Sequence, residues 1–105
     1  MFLDKYLDKF YLDLIYDNYE DFYLRELDEI NFIEIYNLFK KYNFYYINDI
    51  ILAYLDLFML DKEIVEKGII KLKEKLGDKF IFIIGNNLSY LREIYDEIEE
   101  YELGE

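Results

Sequence analysis

Six carboxylates fall within ten residues near the end of the chain: Glu93, Asp96, Glu97, Glu99, Glu100 and Glu102. Carboxylates so crowded could hold a metal ion, exchange protons as paired acids and bases, or present a row of negative charge to a basic partner. The first two find little support. No Asp-rich loop with calcium-binding spacing and a central Gly occurs, and no Gly-rich phosphate loop occurs. His and Cys are absent, which removes the usual general bases, nucleophiles and zinc ligands near neutral pH. Ser89 is the one Ser and there is no Thr; near the start of a helical stretch Ser89 reads as a cap rather than a nucleophile. The chain therefore reads as non-enzymatic, with no metal and no cofactor.

The third chemistry fits better. On an α-helix the six carboxylates span about 15 Å, or roughly one charge per 2.5 Å, against about one per 1.7 Å of axis in duplex DNA. Helical phase puts Glu93, Glu97 and Glu100 on one outward row, with Asp96, Glu99 and Glu102 beside it. Such a row suits a groove built for a phosphate backbone. A second acidic surface lies near the start, where Asp13, Asp17, Glu20 and Asp21 alternate with Tyr11, Tyr16, Tyr19, Phe22 and Tyr23. Rings inside an acidic rim suit a protein interface, because Tyr contributes area and a hydroxyl while acids steer toward a basic partner. Part of these rings is expected in the core. The densest aromatic run, Tyr42-Asn43-Phe44-Tyr45-Tyr46, falls between two helical stretches; it is expected to fold back on the core, and Tyr45 and Tyr46 become partner contacts where they are exposed.

Charge distribution sharpens this reading. Residues 1–36 hold ten acids against three bases, net −7; residues 81–105 hold seven against one, net −6; residues 37–80 are close to neutral, at seven against eight. The total of −12 thus belongs to two surfaces. Direct nucleic-acid binding is disfavoured, since the one basic cluster, Lys67, Lys71, Lys73, Lys75 and Lys79, is interleaved with acids and reads as a solvated helix face. Anionic membranes would be repelled by both ends.

The elements that must carry these residues are helical. Hydrophobic residues make up 54% of the chain beside 34% charged, well outside the disordered range, and 105 residues suit one domain. Leu3, Leu7, Phe10 and Leu14 recur at spacings of three and four, predicting a first helix with these residues inward. A second stretch covers Glu20 to Glu29. Asn31 and Glu34 form a capping pair for a third helix that runs to about Tyr42, with Asn43 in the left-handed turn beyond it. Asn48 or Asp49 opens a fourth helix through Ile51, Leu52, Leu55 and Phe58. Asp61 caps a fifth, whose stripe is Ile64, Gly68, Ile69, Leu72 and Leu76, whose solvent side carries Glu63, Lys67, Lys71 and Lys75, and which Gly77 ends. The run from Lys79 to Ile84 has no assignable period, but an isolated strand would lack a partner, so helix is preferred. A last helix covers Leu88 to Tyr101 with Leu88, Leu91, Ile94, Tyr95 and Ile98 inward.

Residues Ile35 to Tyr42 lie 34 positions before Ile69 to Leu76 and share their pattern, a spacing seen in helix-pair repeats. The pattern loosely resembles mitochondrial transcription-terminator-type helical repeats. Those carry Pro and basic surfaces that this chain lacks, so the resemblance implies no function. The favoured residues, Phe, Tyr, Ile, Asn, Lys, Asp, Glu and Leu, mostly have A/T-rich codons, as in low-GC bacteria, their mobile elements and viruses. The opening Met1-Phe2-Leu3-Asp4-Lys5 does not read as a signal peptide, and the apolar runs are too short for a bilayer, so a cytoplasmic location, that of the host cell if the chain is viral, is the expectation.

The expected fold is all-α, a compact single-domain bundle of about five to seven short helices with a weak helix-pair repeat, spanning 1–105. The expected function is that of a small acidic phage or mobile-element anti-defence protein, of anti-CRISPR or anti-restriction type, that binds a basic, nucleic-acid-handling protein and occludes its channel by charge mimicry. The alternative is a helical adaptor that forms a homodimer or docks through apolar helix faces.

Overall fold

Asp8 sets the first break. The chain starts with a 3-10 turn, Phe2–Lys5, and Asp8 then takes an extended conformation and accepts a hydrogen bond from the Tyr11 amide at 3.2 Å, opening α1 (Lys9–Asn18) afresh. The computed structural model describes residues 2–98. Because α1 begins at a new phase, it does not continue the stripe of Leu3 and Leu7: those two are buried, Ile15 is the buried residue of α1, and Phe10 stands 67% exposed. The single first helix with Phe10 inward is therefore replaced by two elements.

The second stretch is shorter than the periodicity suggests, with α2 confined to Asp21–Leu24. Asp28, not Asn31, caps the next helix by accepting from the Ile30 amide at 2.8 Å. This α3 (Glu29–Lys41) buries Phe32, Ile35, Leu38 and Phe39, the i, i+3, i+6, i+7 set of one helical face. Asn31 sits inside α3 instead, and its amide donates to the carbonyls of Phe58 and Leu60, both at 2.9 Å, tying α3 to the segment opposite. Beyond the helix Asn43 adopts a φ of 68°, the left-handed turn its short polar side chain tolerates.

After α4 (Ile47–Ala53) the chain tightens into a 3-10 segment, Leu55–Met59, so the predicted fourth helix is split at Tyr54. α5 (Lys62–Leu76) follows Asp61, which is extended at the N-cap position but makes no side-chain capping bond, and it ends at Gly77 with φ 81°, as its pattern indicates. The apolar run after Lys79 is helical: α6 covers Phe80–Asn86. The last described element is a 3-10 segment, Leu88–Tyr95, followed by the start of a helical turn.

One hydrophobic cluster runs from Leu3 to Ile94. Its centre is a chain of rings. Phe58 lies 5.0 Å from Phe32 and 5.6 Å from Phe39, Phe39 meets Phe44 edge-on at 5.1 Å, and Phe44 reaches Phe80 at 6.0 Å. These centroid spacings are those of favourable aromatic pairs, each adding about 0.5–1.5 kcal/mol beyond area burial. The final segment closes over α5 because Gly68 has no side chain: a Cβ there would stand 2.7 Å from Ile94 Cγ1. The fold is all-α, with six α-helices and three 3-10 segments among the described residues.

Candidate functional site

The winding of Leu88–Tyr95 decides what the C-terminal acids can do. A 3-10 helix turns about 120° per residue against about 100° in an α-helix, so seven steps advance the phase by about 140° relative to the expected helix. Leu91 and Ile94 stay buried, and Glu97 follows them inward to 4% exposure. There it meets α5. Lys71 Nζ lies 2.9 Å and Lys67 Nζ 3.7 Å from its carboxylate, while Lys75 pairs with Glu93 at 3.0 Å. The lysine face of α5 is thus not merely solvated; its four-residue spacing matches that of Glu93 and Glu97. The expected outward row is corrected accordingly: Glu97 faces inward and Glu93 is engaged within the molecule. Asp96 is exposed. Glu99, Glu100 and Glu102 lie outside the described residues.

The N-terminal acids are arranged differently. At about 100° per residue, Phe10, Asp13, Tyr16 and Asp17 share an arc of about 120° on α1, on the side away from Ile15, and all four are exposed. Asp13 makes only a surface pair with Lys9 at 3.0 Å, and Asp17 makes no ion pair among the described residues. Tyr16 then shares a recess of about 360 Å³ with Asp21 of α2 and Arg25 just beyond it, so the α1 face continues onto α2 and its flanks, where Glu20, Asp21 and Phe22 are exposed and Arg25 bonds Asp21 at 2.7 Å. Solvent-exposed pairs of this kind are worth about 0–1 kcal/mol, so they reorganise readily around a partner.

Of the remaining rings, Tyr11 and Tyr19 are half-buried structural ties. Tyr11 donates to Asp49 at 2.8 Å and Tyr19 to the Leu52 carbonyl at 2.9 Å, fastening α1 to α4. Tyr19 also stacks on Tyr23 at 5.5 Å, which removes it from the α1 outer face. The 42–46 run folds back as expected: Phe44 is buried, Tyr45 is 76% exposed, and Tyr46 is only 9% exposed. The Tyr46 hydroxyl donates to the Ile81 carbonyl and its ring lies where a Cβ on Gly85 would stand, 2.8 Å away. Tyr46 is thus a core residue, and the exposed ring of the run is Tyr45.

Compared with known proteins, the chain matches no family model, no curated protein and no solved structure. What can be said of function therefore rests on the surface itself. Among the described residues no group of three or more carboxylates converges as a metal site, and no helix is long and apolar enough to cross a membrane. The Ser89 hydroxyl donates to Asn87 Oδ1 at 2.6 Å, and the same Asn87 oxygen accepts from the Ser89 amide; Asn87, not Ser89, is the cap. The exposed acidic and aromatic face of α1 and α2 is the best-formed candidate site. Sequence reading placed Asp13, Asp17, Glu20 and Asp21 on it and missed Phe10, whose apparent phase with Leu3 and Leu7 hid it; the one signal was Asp8, a helix-capping residue type in the middle of the stripe.

Proposed function

We propose that the chain is a small non-enzymatic binding protein that docks through the α1–α2 face onto a basic, nucleic-acid-handling partner protein and covers the surface on which that partner would hold nucleic acid. The carrying observation is the exposed set of Phe10, Tyr16 and Phe22 among Asp13, Asp17, Glu20 and Asp21. Apolar rings exposed this far lose their hydration cost on docking, while the carboxylates select a basic surface and raise the encounter rate. A/T-biased composition and strong acidity support an anti-defence setting, that of phage or mobile-element inhibitors of CRISPR or restriction systems. With Glu93 and Glu97 turned toward α5, the first acidic segment leads the contact in this reading.

The test is capture of co-expressed host defence proteins on the immobilised chain, eluted in steps of salt and then with DNA or RNA. Screening should weaken the complex steeply, and nucleic acid should compete for the same partner. A second reading, an adaptor that docks through apolar faces, has its own observation in Phe82 of α6, which is 64% exposed far along the chain from the acidic face. A complex that resists salt and ignores nucleic acid would favour that reading and remove the inhibitor one.

A further inference from the structure

A recess of about 510 Å³, a volume typical of small-molecule sites, lies among Tyr19, Tyr23, Tyr54, Tyr95, Asp56 and Arg92. Its walls come from separate elements, and part of them is held by contacts within the fold. Tyr95 donates to Asp56 Oδ1 at 2.6 Å, Tyr19 to the Leu52 carbonyl, and Tyr19 and Tyr23 stack with 16° between their planes. The hydroxyls of Tyr23 and Tyr54 make no hydrogen bond among the described residues. Burial, with Asp56 adding to it, raises the Tyr19, Tyr23 and Tyr95 phenols above the usual tyrosine range, and neutral phenol rings are stacking surfaces.

The two charges are the informative part. In a chain with twice as many acids as bases (24 against 12), Arg92 makes no ion pair, hydrogen bond or cation–π contact among the described residues, although Asp56 lines the same recess. Opposite charges that share a small recess without closing on each other leave room for a ligand that meets both. An organic cation would satisfy Asp56 and the rings but stand beside Arg92. A bare anion would satisfy Arg92 and oppose Asp56. A planar ring with an N–H edge at one end and an anionic group at the other satisfies every side chain: the ring stacks on tyrosine, the N–H edge donates to Asp56 Oδ2 as nucleobase edges do to carboxylates, and the guanidinium takes the anion.

We propose that this recess is a mononucleotide site, with the base among Tyr19, Tyr23, Tyr54 and Tyr95, its N–H edge on Asp56 and the phosphate on Arg92. The test is calorimetric titration and saturation-transfer NMR of the intact chain with AMP, GMP, CMP and UMP, with their nucleosides, with inorganic phosphate and with tetramethylammonium. At least one nucleotide should bind about tenfold or more tightly than its nucleoside, the margin of a charge-assisted contact. Arg92→Gln, at an exposed position, should erase that margin and leave nucleoside binding; Tyr54→Leu should weaken nucleotide and nucleoside alike; Tyr45→Ser, outside the recess, should change neither. The proposal is overturned if no nucleotide binds at millimolar concentration to the folded chain, if tetramethylammonium binds in preference, or if Arg92→Gln keeps the nucleotide margin.

Discussion

Neutralising Glu97 should cost less than stranding it. Glu97 is 4% exposed, with Oε1 on Lys71 at hydrogen-bond distance and Oε2 3.7 Å from Lys67, too far for a hydrogen bond, so Oε2 has none among the described residues. Glu97→Gln keeps the shape and lets the amide oxygen accept from Lys71, but it loses the charge. A hydrogen bond to a charged group contributes about 1.5–3 kcal/mol against about 0.5–1.5 for a neutral one. The lysine side chains are 51% and 48% exposed, so water recovers part of what they lose, and the net cost is about 1–2 kcal/mol. At about 4–8 °C per kcal/mol for a domain of this size, Tm should fall by roughly 5–15 °C. Lys71→Met is worse, because the ammonium it removes was near water whereas the carboxylate it leaves behind is not; about 2–3 kcal/mol is expected. Denaturant unfolding followed by far-UV circular dichroism measures both. If Lys71→Met costs less than Glu97→Gln, or if both fall within 0.5 kcal/mol of wild type (about the effect of an ordinary surface change), the inward placement of Glu97 is wrong. The same experiment guards against misreading a binding defect: a Glu93, Glu97 and Glu100 triple replacement would lose stability before it reported on any partner.

Gly68→Ala should destabilise by about 1–3 kcal/mol despite the better helix propensity of Ala, because its Cβ would meet Ile94 at 2.7 Å; a Tm equal to or above wild type would show that the contact is slack. Glu66 accepts from Tyr42 at 2.8 Å and from Lys41 at 3.0 Å, and these bonds, Tyr42 first, hold its carboxyl below the usual range. A lowered folded pKa contributes stability above the unfolded value of about 4.3 and loses it as pH falls through the folded one, so the stability gap between wild type and Glu66→Gln should be full at pH 7 and close below about pH 4; a gap constant with pH contradicts the pairing. Burial raises the phenol pKa of Tyr19, Tyr23, Tyr46 and Tyr95, a raised value that leaves their contribution whole below about pH 10 and removes it as pH climbs past 10. Absorbance at 295 nm should therefore show a fraction of the thirteen tyrosines ionising only together with loss of helix; a single reversible phase near pH 10 with the helices intact would refute this.

The helical class was legible because the apolar positions that matter recur at spacings set by a turn of the helix. Phe32, Ile35, Leu38 and Phe39 in α3, and Ile64, Gly68, Ile69 and Leu72 in α5, are buried as that spacing requires. Asn43 and Gly77 were legible as stops because few residues tolerate positive φ. Phase across breaks was not legible. Leu3, Leu7 and Phe10 look continuous until Asp8 caps a new helix, and Asn31 looks like a cap until its amide is seen bonding Phe58 and Leu60. At the C-terminal end, α and 3-10 winding both bring i and i+3 together, so the pattern Leu88, Leu91, Ile94 fits either, and only accumulated phase separates an outward Glu97 from an inward one. The acids of α1 were found because Asp13 and Asp17 are local to one helix. The recess around Arg92 was not, since Tyr19, Tyr23, Tyr54 and Tyr95 come from widely separated segments and meet only in the fold.

Two matched substitutions decide whether the acidic and aromatic face of α1 and α2 is the docking surface. Phe10 and Phe82 are nearly equally exposed, at 67% and 64%, and neither supports the core, so Phe10→Ser and Phe82→Ser should each leave stability within about 0.5 kcal/mol of wild type. Affinity for the captured partner should fall about tenfold or more with Phe10→Ser, as for an anchor residue losing over 1 kcal/mol, and stay unchanged with Phe82→Ser. Loss with Phe82→Ser and none with Phe10→Ser would contradict the account and move the interface to α6.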